Sequence, residues 1–370
     1  MKRLSSLSPT AVAVATVMLF ASCYNVAMEN KTSSTPAPTE SGSAAKIVSL
    51  DPAFDKLVPA NAKVEKLVDG HQWVEGPVWN RKEGYLLFSD IPNNAIIKWQ
   101  QGKGESVFMK PAGYTGKEPF TGREPGTNGL TYDSQGRLVA CEHGDRRVSR
   151  LEDDGKTKTT LADKYNGKRL NSPNDLAYRS NGDLYFTDPI YGLPKGAEDP
   201  ARELDFCGVY RLSKDGKLTL LTKEITRPNG IAFSPDEKKL YVASSDPDKA
   251  IWMVYDAQPD GTIANGKVFF DATAWAKAKR PGLPDGMKVD KDGNLFATGP
   301  GGVLVFSSDG KHLGTFDTGV ETSNVGWGDD GSTLYITART AVFRTRIETI
   351  GVAPHLSQSS EAAYRLHRNA

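Results

Sequence analysis

Six places along the 370-residue chain carry an oxygen-bearing side chain at the start of nearly the same stretch. Glu75 opens EGPVWNRKEGYLLFSD and Asn128 opens NGLTYDSQGRLVACEH. Asn174, Asn229 and Asp285 open NDLAYRSNGDLYFTDP, NGIAFSPDEKKLYVASS and DGMKVDKDGNLFATGP, and Asn324 opens NVGWGDDGSTLYITAR. The six supply carboxylate and amide oxygens, with no Cys or His among them. If they meet at one point, two carboxylates share a confined space, which is costly unless a positive charge compensates. Oxygen donors select a hard cation, and Ca²⁺ takes about six to eight oxygens in flexible geometry. Ca²⁺ is therefore the expected ion, with Mg²⁺, Mn²⁺ and Zn²⁺ as alternatives. Zn²⁺ fits least, because it favours His and Cys.

The elements that must position these residues are legible in the spacing. Successive openings are 53, 46, 55, 56 and 39 residues apart, periods that belong to propellers and solenoids. Each unit holds two apolar runs around a Gly/Asp/Asn turn, the pattern of a β-hairpin. A third run follows, as in GVYRLSKDG and GVLVFSSDG, and then a fourth, as in KLTLLTK. Four short antiparallel strands per unit predict an all-β fold: a six-bladed β-propeller of four-stranded antiparallel blades. The segment KVEKLVDG (63–70) reads as a fourth strand with no first three, whereas the last unit has a third run, TAVFRTRI, and no fourth. The N-terminal strand is thus expected to complete the last blade and remove free sheet edges. The first strand of each blade lines the channel of a propeller, so the six openings are expected around one axis. Asn-Gly and Asp-Gly also mark ordinary turns. Here each unit already has its hairpin turn at the other end of the strand, as in SQG (134–136) and KDG (291–293).

The motifs VEGPVW, NGLTYDSQGRLVACEHGDRRVSR, LNSPNDLAY, YFTDPIYGL, RPNGIAFSPDEKKLYVA and LPDGMKVDKDGNLFAT resemble, in order, those of the gluconolactonase family. That family includes regucalcin and the luciferin-regenerating enzyme, with the paraoxonases as distant relatives. The resemblance covers Val64 to Ile347. It implies a lactone-hydrolysing propeller with a divalent cation at the channel mouth, held by Glu75, Asn174, Asn229 and Asp285. Asn128 matches a position that contacts substrate or metal-bound water. Where regucalcin-like members carry a sugar-binding Arg, two residues earlier, this chain has Gly126, so their substrate does not carry over unchanged.

Hydrolysis needs a polarised carbonyl, an activated water and a base within hydrogen-bond reach. Hairpins return to the face they start from, which brings Asp90, Glu142 with His143, Asp188 and Asp246 to the same end. His143 is a base poised near neutral pH, and the resemblance makes Asp285 a rival, as ligand and base together. Glu142 and His143 are adjacent and point to opposite faces of a strand. Glu142, Tyr191, Asn128 and Asn324 are the candidate substrate contacts. Two long segments, 110–126 and 189–208, are expected to cover the mouth, with Tyr114, Phe120 and Tyr191 as lid aromatics.

The net charge is +1 with no basic run, which gives no footprint for nucleic acid. Residues 1–22 read as a signal peptide, with Lys2 and Arg3 before an apolar stretch too short to span a bilayer. Ser22-Cys23 resembles a lipoprotein box, so the chain is expected to be exported, either to the periplasmic face of a bacterial membrane, with a lipid anchor as its only membrane partner if Cys23 is acylated, or as a soluble periplasmic protein. Residues 23–46 read as a flexible tether, 47–350 as the propeller and 351–370 as a peripheral tail. The expected function is divalent-metal-dependent hydrolysis of a lactone, a sugar lactone by resemblance. The alternatives are an esterase or phosphotriesterase on the same site, and a non-enzymatic ligand-binding propeller with a structural Ca²⁺.

Overall fold

A computed structural model describes residues 45–352. The expected signal segment, Cys23, nearly all of the tether and the tail beyond Val352 lie outside the described residues. Six antiparallel sheets of the propeller follow one another along the chain. Their inner strands are Val74–Asn80, Thr127–Tyr132, Leu176–Tyr178, Pro228–Phe233, Met287–Val289 and Thr322–Gly328. Each inner strand touches the next, and the sixth touches the first, so the ring is closed.

Closure follows the sequence reading. Glu65–Val68 pairs with Ala341–Arg346 as the fourth strand of blade 6, with Glu65 opposite Arg344 and Val68 opposite Val342. One strand was not expected: Lys46–Ser49 adds a fifth, outermost strand to blade 5, pairing with His312–Asp317. The following turn of helix, Pro52–Asp55, is capped by the Asp51 side chain and drops Phe54 onto Phe316. Gly314 permits this, since a Cβ there would lie 2.5 Å from the Phe54 ring.

The apolar core is divided into six clusters, one between each pair of neighbouring blades. Blades 6 and 1 share Val74, Phe88, Trp99 and Tyr335, while blades 4 and 5 share Trp252, Leu295 and Phe306. Each large apolar side chain buried in this way contributes roughly 1.5–3 kcal/mol. Blade-to-blade packing therefore fixes the radius at which the inner strands sit. Cys141 and Cys207 are buried free thiols.

Candidate active site

The residue after each opening explains the Asn-Gly and Asp-Gly pairs. A Cβ on Gly76 would lie 2.2 Å from the carbonyl oxygen of Asn128, and one on Gly230 would lie 2.2 Å from that of Asp285. Gly129 abuts the carbonyl of Asn174, and Gly286 abuts the side chain of Asn324. These glycines let four of the six inner strands press their backbone against the opening residue of the next blade. They draw the ring tight rather than turn a hairpin.

A set of hydroxyls that sequence reasoning missed stitches the same contacts. Ser89 Oγ donates to the carbonyl of Asn128 (2.8 Å), Thr187 Oγ1 to that of Asn229 (2.7 Å) and Ser245 Oγ to that of Pro284 (2.5 Å). Thr298 Oγ1 donates to the Ser323 carbonyl and Ser323 Oγ to that of Val74. The signal for four of them was the penultimate Ser or Thr of the second hairpin strand, in FSD, FTD, SSD and ATG.

All six openings stand at this end of the channel. Asn128, Asn174, Asn229, Glu75 and Asn324 are buried, and Asp285 is half-buried with Oδ1 sealed from solvent. The Oδ1 atoms of Asn128, Asn174, Asn229 and Asp285 have no hydrogen-bond donor, and neither does Oδ2 of Asp175. Asp175 follows Asn174 and was not foreseen; its Oδ1 accepts from the backbone of Leu176. Glu75 Oε2 accepts from the Gly76 N–H (2.9 Å) and from Asn324 Nδ2 (3.0 Å). Asn324 turns its own Oδ1 back to the Val325 N–H, so its amide holds Glu75.

The electrostatics have one sign. Burial, with the charges of Asp175 and Glu124, pushes the Glu75 carboxyl up to about 8. Burial and the Glu75 carboxylate push Asp285 well above the usual range. Orphaned buried oxygens beside carboxylates that resist ionisation are what a hard divalent cation relieves. The residues present therefore fit such an ion. No cluster of three or more His, Cys, Asp or Glu side chains forms a metal site among the described residues; the oxygens come largely from amides.

The other expected contacts divide. Tyr191 reaches the ring: its phenol is sealed from solvent beside Ser245, and burial, with nearby Asp285, drives its pKa upward. His143 is fully buried, with Nδ1 2.8 Å from Oε2 of Glu124. Glu142 does not join them. Its oxygens are taken by Arg147 (2.6 Å), Lys158 (2.7 Å) and Ser149 (2.5 Å) within blade 2. Asp90 binds His71 and Asn93, and Asp246 binds Thr226. Asp188 accepts the N–H groups of Asn171 and Ser172, while burial raises its carboxyl to about 7. These acids pin loops.

The lid segments are anchored. Asn94 Oδ1 accepts from the N–H groups of Ala112, Gly113 and Tyr114, and Tyr114 packs on Phe120 at 5.1 Å. Gly126 has no room for a side chain, since its Cβ would fall 2.6 Å from the Ile91 carbonyl oxygen. The absence of an Arg there is built into the backbone path. A 630 Å³ cavity opens at the other end of the channel, between Trp79, Tyr178, Phe233, Lys288 and Trp327.

Comparison with known proteins agrees with the propeller fold. Residues 73–340 match the family model described as the SMP-30/Gluconolactonase/LRE-like region. The chain is 40% identical over 318 residues to a gluconolactonase of Zymomonas mobilis, covering 83% of this chain and 87% of that one. It is 27% identical over 277 residues to a pentonolactonase of Haloferax volcanii, covering 71% and 80%. Among solved structures, a gluconolactonase from Xanthomonas campestris superimposes with a TM-score of 0.71 at 31% identity, covering 84% of this chain and 99% of that one.

Proposed function

The chain belongs to the SMP-30/gluconolactonase/LRE-like family, and from that premise we propose that it is a hydrolase that opens a sugar lactone at the Glu75–Asp285 end of the channel, with Ca²⁺ as its ion. The observation that carries this reading is the set of sealed, unpaired oxygens on neighbouring inner strands: Asn128, Asn174, Asn229 and Asp285.

Glu75, Asn174, Asn229 and Asp285 would hold the cation, through the unpaired oxygens of the three last and the Glu75 carboxylate. When bound, it supplies Lewis-acid polarisation of the lactone carbonyl. The protein's own groups do the rest. Asn324 donates its amide to Oε2 of Glu75 and fixes that carboxylate in the ring. Asn128 has a free amide oxygen for a hydroxyl of the sugar. Tyr191 stands beside Asp285 and restricts water at the mouth. His143 accepts the proton of the attacking water and returns it to the ring oxygen as the C–O bond opens.

The test is hydrolysis of a panel of aldonolactones, aryl esters and organophosphates, with Ca²⁺ and with EDTA. Sugar lactones should give the highest kcat/KM. EDTA, Glu75→Ala and Asp285→Ala should each lower it at least a hundredfold, on the order of 3 kcal/mol. Hydrolysis that is indifferent to both substitutions would exclude the reading.

A further inference from the structure

The segment 110–126 contributes one acid to the mouth that the motifs do not mark. Glu124 Oε2 lies 2.8 Å from Nδ1 of His143, off the line of an ideal N–H···O hydrogen bond. The imidazole is 0% exposed, and Nε2 has no partner among the described residues. Glu124 also adds to the negative potential on Glu75 and Asp285, which places the pair at the same end of the channel.

His143 and the backbone on both sides of the pair are firmly held. The His143 N–H donates to the Gly126 carbonyl (3.1 Å). Asp145 accepts from the Thr115 N–H (3.0 Å) and hydroxyl (2.7 Å). Arg146 Nε donates to the carbonyls of Leu170 and Asn171, and Nη1 to that of Ala201. A Cβ on Gly144 would fall 2.5 Å from the Pro125 carbonyl oxygen, so the turn and the lid approach as closely as glycine allows. Gly192 closes the other side, 2.6 Å from His143 Cβ by the same measure. The turn His143–Arg147 thus joins the lid to blade 3.

We infer that Glu124 is a positioning residue for the hydrolysis: its carboxylate holds the Nδ1 proton of His143, so that Nε2 carries the lone pair that acts on water. A neutral imidazole has one N–H, and an acceptor beside Nδ1 selects the tautomer protonated there. Water oxygen bonds to the lactone carbonyl carbon while its proton passes to Nε2. The ring C–O bond then breaks, and the leaving oxygen takes that proton back, giving the open hydroxy acid. Glu124 gains and loses no proton. Poor alignment in a substrate-free site is common and tightens in the Michaelis complex. The inference rests on the lactone-hydrolysing reading of this mouth.

Two measurements on the full chain test it. In protein carrying ¹⁵N-labelled histidine, the His143 signal is identified by its loss in His143→Gln. It should show Nδ1 protonated in the wild type and Nε2 protonated in Glu124→Ala. With gluconolactone and saturating Ca²⁺, Glu124→Ala should lower kcat about tenfold to a hundredfold, with KM within about twofold and bound Ca²⁺ unchanged. Glu124→Asp should recover part of the loss, and Glu124→Gln, which keeps the lid packed, should stay impaired. An Nε2-protonated ring in the wild type, an unchanged kcat in Glu124→Gln, or a loss confined to KM would each overturn the inference. A wild type that turns over no sugar lactone would defeat the functional reading instead, and the ring spectrum would still decide whether Glu124 sets the tautomer.

Discussion

Without a bound cation, the stability of the protein should fall as pH rises. Glu75 is driven from an ordinary value of 4.5 to about 8, chiefly by burial. A folded state that keeps its proton to higher pH than the unfolded chain loses stability as pH rises, because the unfolded chain binds fewer protons across that window. The loss begins near 4.5 and is complete above about 8. At about 1.4 kcal/mol per pH unit, the window from 4.5 to about 8 costs on the order of 5 kcal/mol. Asp285 is raised as well, so the drop should not be smaller. For a domain of this size each kcal/mol moves Tm by roughly 2–4 °C. In EDTA, Tm should therefore fall by about 10 °C between pH 5 and pH 8.5. Excess Ca²⁺ should flatten the profile, since an ion at a hundred times its Kd adds about 2.7 kcal/mol. Glu75→Gln in EDTA should be more stable than the wild type at pH 8.5 and gain little from Ca²⁺. Calorimetry across this range checks all three statements. Stability of the metal-free protein that rises with pH would refute the reasoning, because it would mean that Glu75 is already ionised and partnered.

Two further substitutions follow from the packing. Gly230→Ala places a Cβ against the Asp285 carbonyl; overpacking of this kind costs about 1–3 kcal/mol, and Ca²⁺ affinity by titration calorimetry should fall with it. Glu142→Ala strips Arg147 and Lys158 of their shared buried carboxylate; losing one partner of a buried pair costs about 3–5 kcal/mol, visible as a lowered urea midpoint.

The blades were legible because hairpin patterning repeats and each opening stands at a fixed offset from its turn. Ring closure was legible because an orphan fourth strand matched a blade lacking one. The strand Lys46–Ser49 was not, since a four-residue edge beside a Ser- and Pro-rich run carries no periodicity. Glu124 was equally silent: its place depends on Asn94 and Asp145 gripping an irregular segment from two other blades. Glu142 and His143 are neighbours in sequence, and alternation puts them in different surroundings. Which one meets the channel depends on Lys158 and Arg147, contacts that lie across the sheet.

Blade 6, built from both ends of the described chain, gives the hoop its clasp. Arg344 and Glu65 meet across 279 positions of chain, so the last blade cannot finish until almost the whole polypeptide is available. The Asn324–Glu75 bond, from that blade to blade 1, spans 249 positions. Until both ends have met, Glu75 has no Asn324 to hold it, and an unfinished chain carries no assembled centre. Once they meet, an ion held between Glu75 and Asp285, as proposed above, would resist prying where the two ends of the ring come together.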